Sequence, residues 1–380
     1  MVTDGARYSR RMGKVILGAI VGAALLVALS APGAAAHHQS VKKGMWGPLD
    51  VKGRSAFPLY HRLGVGVFQM TLSWRDVAPT RPADPLDPAD PAYSWPATVD
   101  VAVARARRHG IRVSVMLMWT PPWANRGRSA EWAPRSVRDL ANFATAASRR
   151  YPGVSRWMIW GEPTRMPNFR PLDPETPGTA LTRRQRRAPE KYARMLDASY
   201  SALKRVDRHD LVIGGNSFTS GHISPRNWIR FMRLRDGRRP RMDLYGHNPY
   251  TARRPDLSQP LVAPPAGYAD FSDLDALRRW LGRSGFRSGR AGPPRLFLSE
   301  FSFPTDHPNF ETNFYVTRDL QARWTAQALR EVRRTPWIAT LGWFALLDDP
   351  PRSDNLEVNR GLMTYDGRKR KPAFYAFRDG

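Results

Sequence analysis

Residues 157–163 read WMIWGEP, an apolar run that ends in a glutamate, Glu162. A second apolar run, LFLS at residues 296–299, leads directly into Glu300. Placing a carboxylate against a buried segment costs desolvation free energy, so a fold needs a reason to do it. Only eight of the 380 residues are glutamate, which gives added weight to these two positions. If both runs are parallel strands of one sheet, their carboxyl ends meet at the same edge.

Short apolar runs recur along the chain and alternate with stretches of helical periodicity. Between the runs, apolar side chains repeat at i, i+3, i+4 and i+7, as in Tyr192, Met195, Leu196, Ser199 and Leu203. Strand–helix alternation predicts parallel strands covered by helices. The predicted strands are Lys43–Gly47, Gly64–Leu72, Ile111–Trp119, Trp157–Gly161, Leu211–Gly215, Met242–Gly246, Arg295–Ser299 and Ile338–Phe344.

Eight such units favour an α/β fold of the (β/α)8 TIM-barrel class over a doubly wound sheet, since no G-x-G-x-x-G follows the first strand. A barrel of this size is commonly a single domain, here residues 37–380. The long connections, rich in Pro, Asp and aromatic residues, all follow predicted strands and so should build the C-terminal face of the barrel, where active sites lie. They are residues 75–96, 164–188, 251–269, 302–313 and 348–360.

Residues 1–36 are typical of a secretory signal. Four basic residues (Arg7, Arg10, Arg11 and Lys14) precede an apolar run at residues 15–29, and Ala34-Ala35-Ala36 offers a cleavage site. The alternative is an uncleaved membrane anchor, although the run is shorter than the roughly 20 residues of a spanning helix. Either way we expect the barrel to be secreted or held at the cell surface. A twin-arginine pair makes Tat export an alternative to Sec.

The chain carries 60 Lys and Arg against 33 Asp and Glu, a formal net charge of +27. The basic residues are scattered, and no nucleic-acid-binding motif accompanies them, so we expect no specific nucleic-acid partner. A solvated basic surface is the simplest interpretation, and attraction to an anionic cell-surface polymer is the alternative. The absence of cysteine excludes disulfides and thiolate chemistry. No His–carboxylate cluster indicates a metal, and no motif indicates a cofactor.

Two glutamates at one barrel mouth suit glycosidic-bond hydrolysis. In a retaining mechanism the two carboxyls lie roughly 5–5.5 Å apart, one acting as acid/base and the other as nucleophile. Structural pairing of each glutamate with an arginine of the barrel wall is the alternative, but no strand end offers an obvious partner.

The sequence resembles the retaining (β/α)8 glycoside hydrolases of clan A, the family 39-like and cellulase-like members in particular. The stretch at residues 157–163 is similar to the W-x-x-W-N-E-P of that clan, and Leu298-Ser299-Glu300-Phe301 resembles its nucleophile strand. Further similarity lies in Tyr93-Ser94-Trp95, Asp100, residues 109–123, Gly361-Leu362 and Lys371-Pro372-Ala373, so that it covers nearly all of residues 41–378.

The resemblance implies that Glu162 is the acid/base and Glu300 the nucleophile. Desolvation should keep Glu162 protonated, and His247 or Tyr250 should help to keep Glu300 ionised. One departure stands out. The clan usually has Asn before the acid/base, in contact with the sugar 2-hydroxyl, where this chain has Gly161. Another donor, a substrate that differs at C2, or reduced activity would each account for the change.

Other candidate substrate-binding residues stand next to predicted strands. Polar candidates are His247 and Tyr250 in the motif Gly-His-Asn-Pro-Tyr, and Asn216 after the fifth strand; the alternative for the motif is an ordinary turn. Aromatic candidates for stacking on a sugar ring are Trp343, which matches the platform of the clan, Trp119 and Trp74. Any single Trp is more often a core residue.

The sequence therefore predicts an exported retaining glycoside hydrolase that acts on an oligo- or polysaccharide. A catalytically impaired carbohydrate- or cell-wall-binding barrel is the second hypothesis, since Gly161 removes an expected contact. An anionic-polymer-binding surface protein is the third.

Overall fold

In a computed structural model, residues 40–261, 263–289 and 292–380 are described. Eight parallel strands close into a barrel in sequence order, and each pairs with its chain neighbours. The prediction of a (β/α)8 barrel is confirmed. The strands are β1 (Ser40–Trp46), β2 (Val65–Ser73), β3 (Arg112–Met118), β4 (Val154–Ile159), β5 (Leu211–Phe218), β6 (Leu244–Asn248), β7 (Arg295–Phe301) and β8 (Ile338–Phe344).

Helices follow each strand and cover the barrel. A short hairpin (Asp50–Val51 and Arg54–Ser55) precedes the first helix, and two 3₁₀ turns (Pro264–Ala266 and Phe271–Asp273) precede the eighth. The helices are α1 (Phe57–Arg62), α2 (Trp74–Val77), α3 (Ala97–Arg108), α4 (Pro122–Asn125), α5 (Val137–Arg150), α6 (Arg187–Val206), α7 (Pro225–Phe231), α8 (Leu274–Arg283), α9 (Arg318–Arg334) and α10 (Pro372–Asp379).

All eight predicted strands exist, but their ends differ from the prediction by up to three residues. Strand β4 ends at Ile159, so Trp160 and Gly161 lie outside the sheet and Glu162 stands in the following loop. In contrast, Glu300 lies inside β7. The apolar run at residues 157–161 could not show where the pairing with β5 stops, because Trp160 is buried whether or not it belongs to a strand.

The core has two parts, one on each side of the barrel wall. The larger lies between the strands and the helices, where the periodic face of α6 (Tyr192, Met195, Leu196, Ser199 and Leu203) is fully buried. The smaller part fills the barrel interior with one apolar side chain from each of six strands, as expected for a packed (β/α)8 core. They are Val67, Met158, Ile213, Leu244, Phe297 and Ala339.

The signal or anchor segment predicted at residues 1–36 lies outside the described residues. Within residues 40–261, 263–289 and 292–380, no helix combines the length and the apolar character that crossing a bilayer requires.

A buried lysine, Lys371, joins three segments near the C-terminus of the chain. The Lys371 ammonium donates to Asp348 Oδ1 at 2.9 Å, to Thr305 Oγ1 at 2.9 Å and to the Asn359 carbonyl at 3.0 Å. Asp348 also accepts the Gly361 backbone N–H at 2.7 Å. These bonds fix the loops after β7 and β8 against the start of α10.

We therefore expect Lys371→Met to destabilise the fold by about 3–5 kcal/mol, because it leaves the Asp348 carboxylate buried without a counter-charge. Chemical denaturation with circular dichroism measures the loss. Adding Asp348→Asn should recover part of it, since both charges are then gone. The exposed Lys369→Met is the control, and an equal loss in that variant would contradict the assignment.

Candidate active site

Both glutamates line one cleft of about 610 Å³ at the carboxyl ends of the strands. Strand β4 delivers Glu162 and strand β7 delivers Glu300, as the sequence predicted. The cleft wall comes from the loops that follow β4 to β8, including Arg165, Tyr250 and Arg360.

Asn248, the last residue of β6, contacts both glutamates. Its Nδ2 donates to Glu162 Oε1 at 2.9 Å, and its Oδ1 accepts the Glu300 backbone N–H at 3.1 Å. The same Oδ1 accepts the Ser299 hydroxyl at 2.6 Å. Two donors on Oδ1 leave the amide a single orientation, so Asn248 fixes the two strand ends relative to each other.

Glu162 is buried, with 7% of its surface exposed, and receives three donors. Besides Asn248, Arg165 donates to Oε2 at 2.8 Å and Asn168 donates to the same oxygen at 3.1 Å. The expectation that no arginine would pair with this glutamate is wrong. The turn after β4 brings Arg165, three residues further along the chain, back to within 2.8 Å of Glu162. Both oxygens of Glu162 are thus occupied as acceptors.

Glu300 has fewer partners. The Tyr250 hydroxyl donates to its Oε2 at 3.0 Å, as the sequence suggested. Burial raises the pKa of the Glu300 carboxyl above its ordinary value, and the negative charge of Glu162 raises it further; Tyr250 and Arg360 act in the opposite direction. Burial and the charge of Glu300 also raise the pKa of Tyr250, so the phenol keeps its proton and remains a donor.

The backbone of Glu300 is held from inside the barrel. The Ser299 carbonyl accepts the Trp46 indole N–H at 2.8 Å and the Gln69 Nε2 at 2.9 Å. Gln69 thus supports the end of strand β7 through the Ser299 carbonyl and not through the Glu300 carboxylate.

Several residues at the strand ends have left-handed backbone conformations. The φ angles are +66° at Trp119, +68° at Trp160, +42° at Glu162 and +42° at Asn216. For Trp and Glu this region is unfavourable, and such residues concentrate at functional sites, where the surrounding structure enforces them. These strained residues lie in or just after β3, β4 and β5, the strands around Glu162.

His247 does not contact Glu300, and the role expected for it is wrong. The ring is fully buried, Nε2 bonds to the Ala269 carbonyl at 2.9 Å and Nδ1 to Ser217 Oγ at 2.8 Å. A carbonyl only accepts, so Nε2 carries the proton and Nδ1 accepts. Burial lowers the pKa of His247 to about 4, which keeps the ring neutral. Alternation along β6 explains the difference: His247 points into the wall and Asn248 towards the cleft.

Asn216 is a structural residue and not a wall of the cleft. Its Nδ2 donates to the Trp160 carbonyl at 2.6 Å, and the side chain is buried. It thereby holds the turn between β4 and Glu162.

The predicted tryptophan platform is also wrong. Trp343 and Trp74 are both fully buried: Trp343 packs edge-on against Phe301 and Phe377, and Trp74 stacks on Phe143. Trp119 is partly buried at the end of β3 and is not among the residues that line the cleft.

Other aromatic rings line the cleft in their place. Successive side chains of a strand point to opposite faces, so Phe344 faces the cleft where Trp343 faces the helices. The four aromatic side chains in the lining beyond Tyr250 are Phe218, Tyr268, Phe314 and Phe344. Arg165 lies over the Phe218 ring at 4.6 Å, and Arg360 lies over the Phe344 ring at 5.3 Å.

Gly161 provides no side chain, and methionines occupy the space beside it. A Cβ built there would lie 2.7 Å from Met116 Sδ and 3.3 Å from Met118 Sδ. The amides nearest to Glu162 therefore come from Asn168 and Asn248, neither of which precedes it in the chain.

Within the described residues, no group of three or more His, Cys, Asp or Glu side chains is arranged to hold a metal ion. The acids of the cleft are instead bound to protein donors, as in the 2.8 Å pair of Arg360 with Glu311. Arg165, Asn168 and Arg360 were not predicted from the sequence. Loop position alone gives no signal of which basic residue folds back onto a strand end.

Many solved structures are similar to the chain, and three of them illustrate the degree of similarity. A family 39 glycoside hydrolase from the gut symbiont Bacteroides cellulosilyticus WH2 has a TM-score of 0.64 at 18% identity, over 90% of this chain and 64% of that one. A glucosidase from Croceicoccus marinus has a TM-score of 0.60 at 17% identity, over 90% of this chain and 65% of that one. A family 39 β-xylosidase from Caulobacter crescentus has a TM-score of 0.55 at 16% identity, over 89% of this chain and 70% of that one.

Neither a protein-family model nor a curated protein sequence matches the chain. The chain spans about two thirds of the length of the first two solved structures. At these identities the similarity establishes the fold. The chain is thus a (β/α)8 barrel of the kind found in family 39 glycoside hydrolases, and the resemblance drawn from its sequence is confirmed at that level.

The raised pKa of Glu300 predicts a stability effect that depends on pH. Above the ordinary carboxyl pKa the folded protein holds a proton that the unfolded chain has lost, so stability falls as the pH rises towards the raised value. Glu300→Gln removes this cost, and we expect its melting temperature to exceed that of the wild type by about 1–3 °C at pH 8, with a smaller gain at pH 5.

Glu162→Gln is the matched control for this experiment. It replaces a carboxylate oxygen that accepts a hydrogen bond with an NH₂ group that cannot accept one. We therefore expect it to lower the melting temperature at both pH values. Calorimetric scans of the three proteins give the comparison. Lower stability of Glu300→Gln at pH 8 would contradict the electrostatic assignment.

Proposed function

We propose that the chain is a glycoside hydrolase that cleaves O-glycosidic bonds of an oligo- or polysaccharide by double displacement. The observation that supports this is the placement of Glu162 and Glu300 in one cleft, each bonded to the same Asn248 side chain. In this assignment Glu300 attacks the anomeric carbon, and Glu162 protonates the leaving oxygen and later activates water.

The proposed reaction requires the protons to be redistributed when substrate binds. Burial and the Glu162 charge favour the proton on Glu300, whereas attack requires Glu300 to be ionised. Protonation of Glu162 requires one of its oxygens to give up a donor. Arg165 is the donor best able to leave, because its side chain is 37% exposed at the cleft. A substrate that displaces Arg165 would therefore activate both carboxyls together.

The phenol of Tyr250 supports the nucleophile in this scheme. It donates to Glu300 Oε2 and so stabilises the ionised form. The aromatic rings of Phe344 and Phe314 offer apolar faces to a sugar ring in the same cleft.

A barrel that binds carbohydrate with little or no turnover is the second candidate. Two observations favour it. Gly161 removes the side chain that contacts the sugar 2-hydroxyl in the clan, and the three donors on Glu162 hold the carboxylate as an acceptor.

Paired variants of the two glutamates test the assignment and separate the candidates. The probes are 2,4-dinitrophenyl xylosides and glucosides of both anomers, chosen because the similar structures include a β-xylosidase and a glucosidase. We expect Glu162→Ala to retain the first step with this good leaving group, and added azide to restore turnover. On unactivated glycosides the loss should reach roughly 10²–10⁴-fold.

Glu300→Ala should be inactive on every probe, and azide should give a glycosyl azide of inverted configuration in that variant. Proton NMR of the azide products distinguishes the two configurations. Wild-type turnover in Glu300→Ala would end the assignment, and binding of glycans without turnover in the unmodified protein would establish the second candidate.

We also propose that residues 1–36 direct export, with the barrel secreted or retained at the cell surface. The support is the basic, apolar and small-residue order of the segment. Mass spectrometry of the chain recovered from cell fractions tests this. Loss of residues 1–36 indicates a cleaved signal and their retention in a membrane fraction an anchor, whereas an intact chain in the cytoplasm would contradict export.

A further inference from the structure

A second concave site, separate from the cleft, is lined by positive charge. It is a groove of about 430 Å³, and five of its nine lining residues are arginines. We call it the arginine groove; its arginines are Arg233, Arg238, Arg239, Arg241 and Arg287.

The arginine groove lies at the end of the barrel opposite to the cleft. Its residues 233–241 connect α7 to β6, and its residues 284–287 connect α8 to β7. Connections from helix to strand form the N-terminal face of a (β/α)8 barrel, whereas the cleft is built from connections that follow strands. Binding in the groove would therefore leave the cleft free.

Two of the five arginines have acidic partners. Arg241 pairs with Asp197 at 2.8 Å, and Arg238 pairs with Asp236 at 2.7 Å. Arg233 and Arg287 are exposed, and among the described residues neither forms a salt bridge. Positive charge in the groove thus exceeds the acidic charge bound to it.

Arg239 is the least exposed of the five arginines, and its hydrogen-bonding capacity is incompletely satisfied. Its Nη1 donates to the carbonyls of Ile229, Arg230 and Met232 at the end of α7, at 2.8–3.0 Å. Its Nη2 is buried and has no hydrogen-bond partner within the described part of the chain. Burial and the nearby Arg233 lower the pKa of Arg239 to about 10.

The exposed arginines of this groove are suited to an anion with several acceptor oxygens. The planar guanidinium of arginine matches carboxylate and sulfate groups with two parallel hydrogen bonds. None of the nine lining residues is aromatic, so the groove offers no platform on which a nucleic-acid base could stack. The net charge of +27 adds long-range attraction for a polyanion.

We propose that the arginine groove binds an anionic polysaccharide through its carboxylate or sulfate groups, with Arg233 and Arg287 as the principal contacts. The site would hold the barrel against an acidic glycan while the cleft faces away. This inference does not depend on hydrolysis, because the two sites occupy opposite ends of the barrel.

Titration of the full chain with oligogalacturonate and with heparin oligosaccharides, at several salt concentrations, tests the proposal. We expect Arg233→Ser/Arg287→Ser to weaken binding at low salt by about tenfold or more. The slope of log Kd against log salt should also fall by on the order of 1.5, as two ion-pair contacts predict. Both residues are exposed, so the fold should tolerate the change.

Arg107→Ser/Arg108→Ser is the control with the same change in net charge. These two exposed residues lie at the end of α3, outside the groove, and their replacement should change binding less than twofold. Equal weakening by both pairs of substitutions would indicate diffuse surface charge and overturn the proposal. So would the absence of binding, or equally tight, groove-dependent binding of single-stranded DNA of matched charge.

Discussion

The Asn248 side chain is the constraint on which the cleft depends. It donates to one glutamate, accepts the backbone of the other, and accepts the Ser299 hydroxyl on the same strand as Glu300. Three strand ends are thereby fixed by one buried amide. The carboxylates of Glu162 and Glu300 repel each other, and a fold without this bridge would relieve that repulsion by separating the strand ends.

The repulsion is also what makes the pair chemically useful. Burial and the charge of Glu162 raise the pKa of Glu300, so this carboxyl keeps its proton to a higher pH than an ordinary glutamate does. The donors around Glu162 and the burial of Glu300 decide where that proton rests in the free protein. The left-handed backbone at Glu162 fits the same picture, since such strain persists where the surrounding structure enforces a side-chain position.

Sequence alone predicted the parts of this structure that follow from periodicity. All eight strands, the closed barrel and the convergence of Glu162 and Glu300 on one cleft were predictable, because apolar runs and strand-end carboxylates leave a local pattern. The wrong predictions concern the direction in which a side chain points from its strand. One residue along β8 separates the buried Trp343 from Phe344, and one along β6 separates His247 from Asn248, and no composition signal fixes which of two neighbours faces the cleft. The approach of Arg165 depends on the path of a turn, which the sequence does not specify.

The most direct test of the shared-cleft account is covalent trapping. The protein is incubated with activated 2-deoxy-2-fluoro xylosides and glucosides of both anomers, and the modified peptide is identified by mass spectrometry. The account predicts a single stoichiometric adduct on Glu300, which is absent when residue 300 is alanine. An adduct on Glu162, or hydrolysis of the parent glycoside without any adduct, would contradict it.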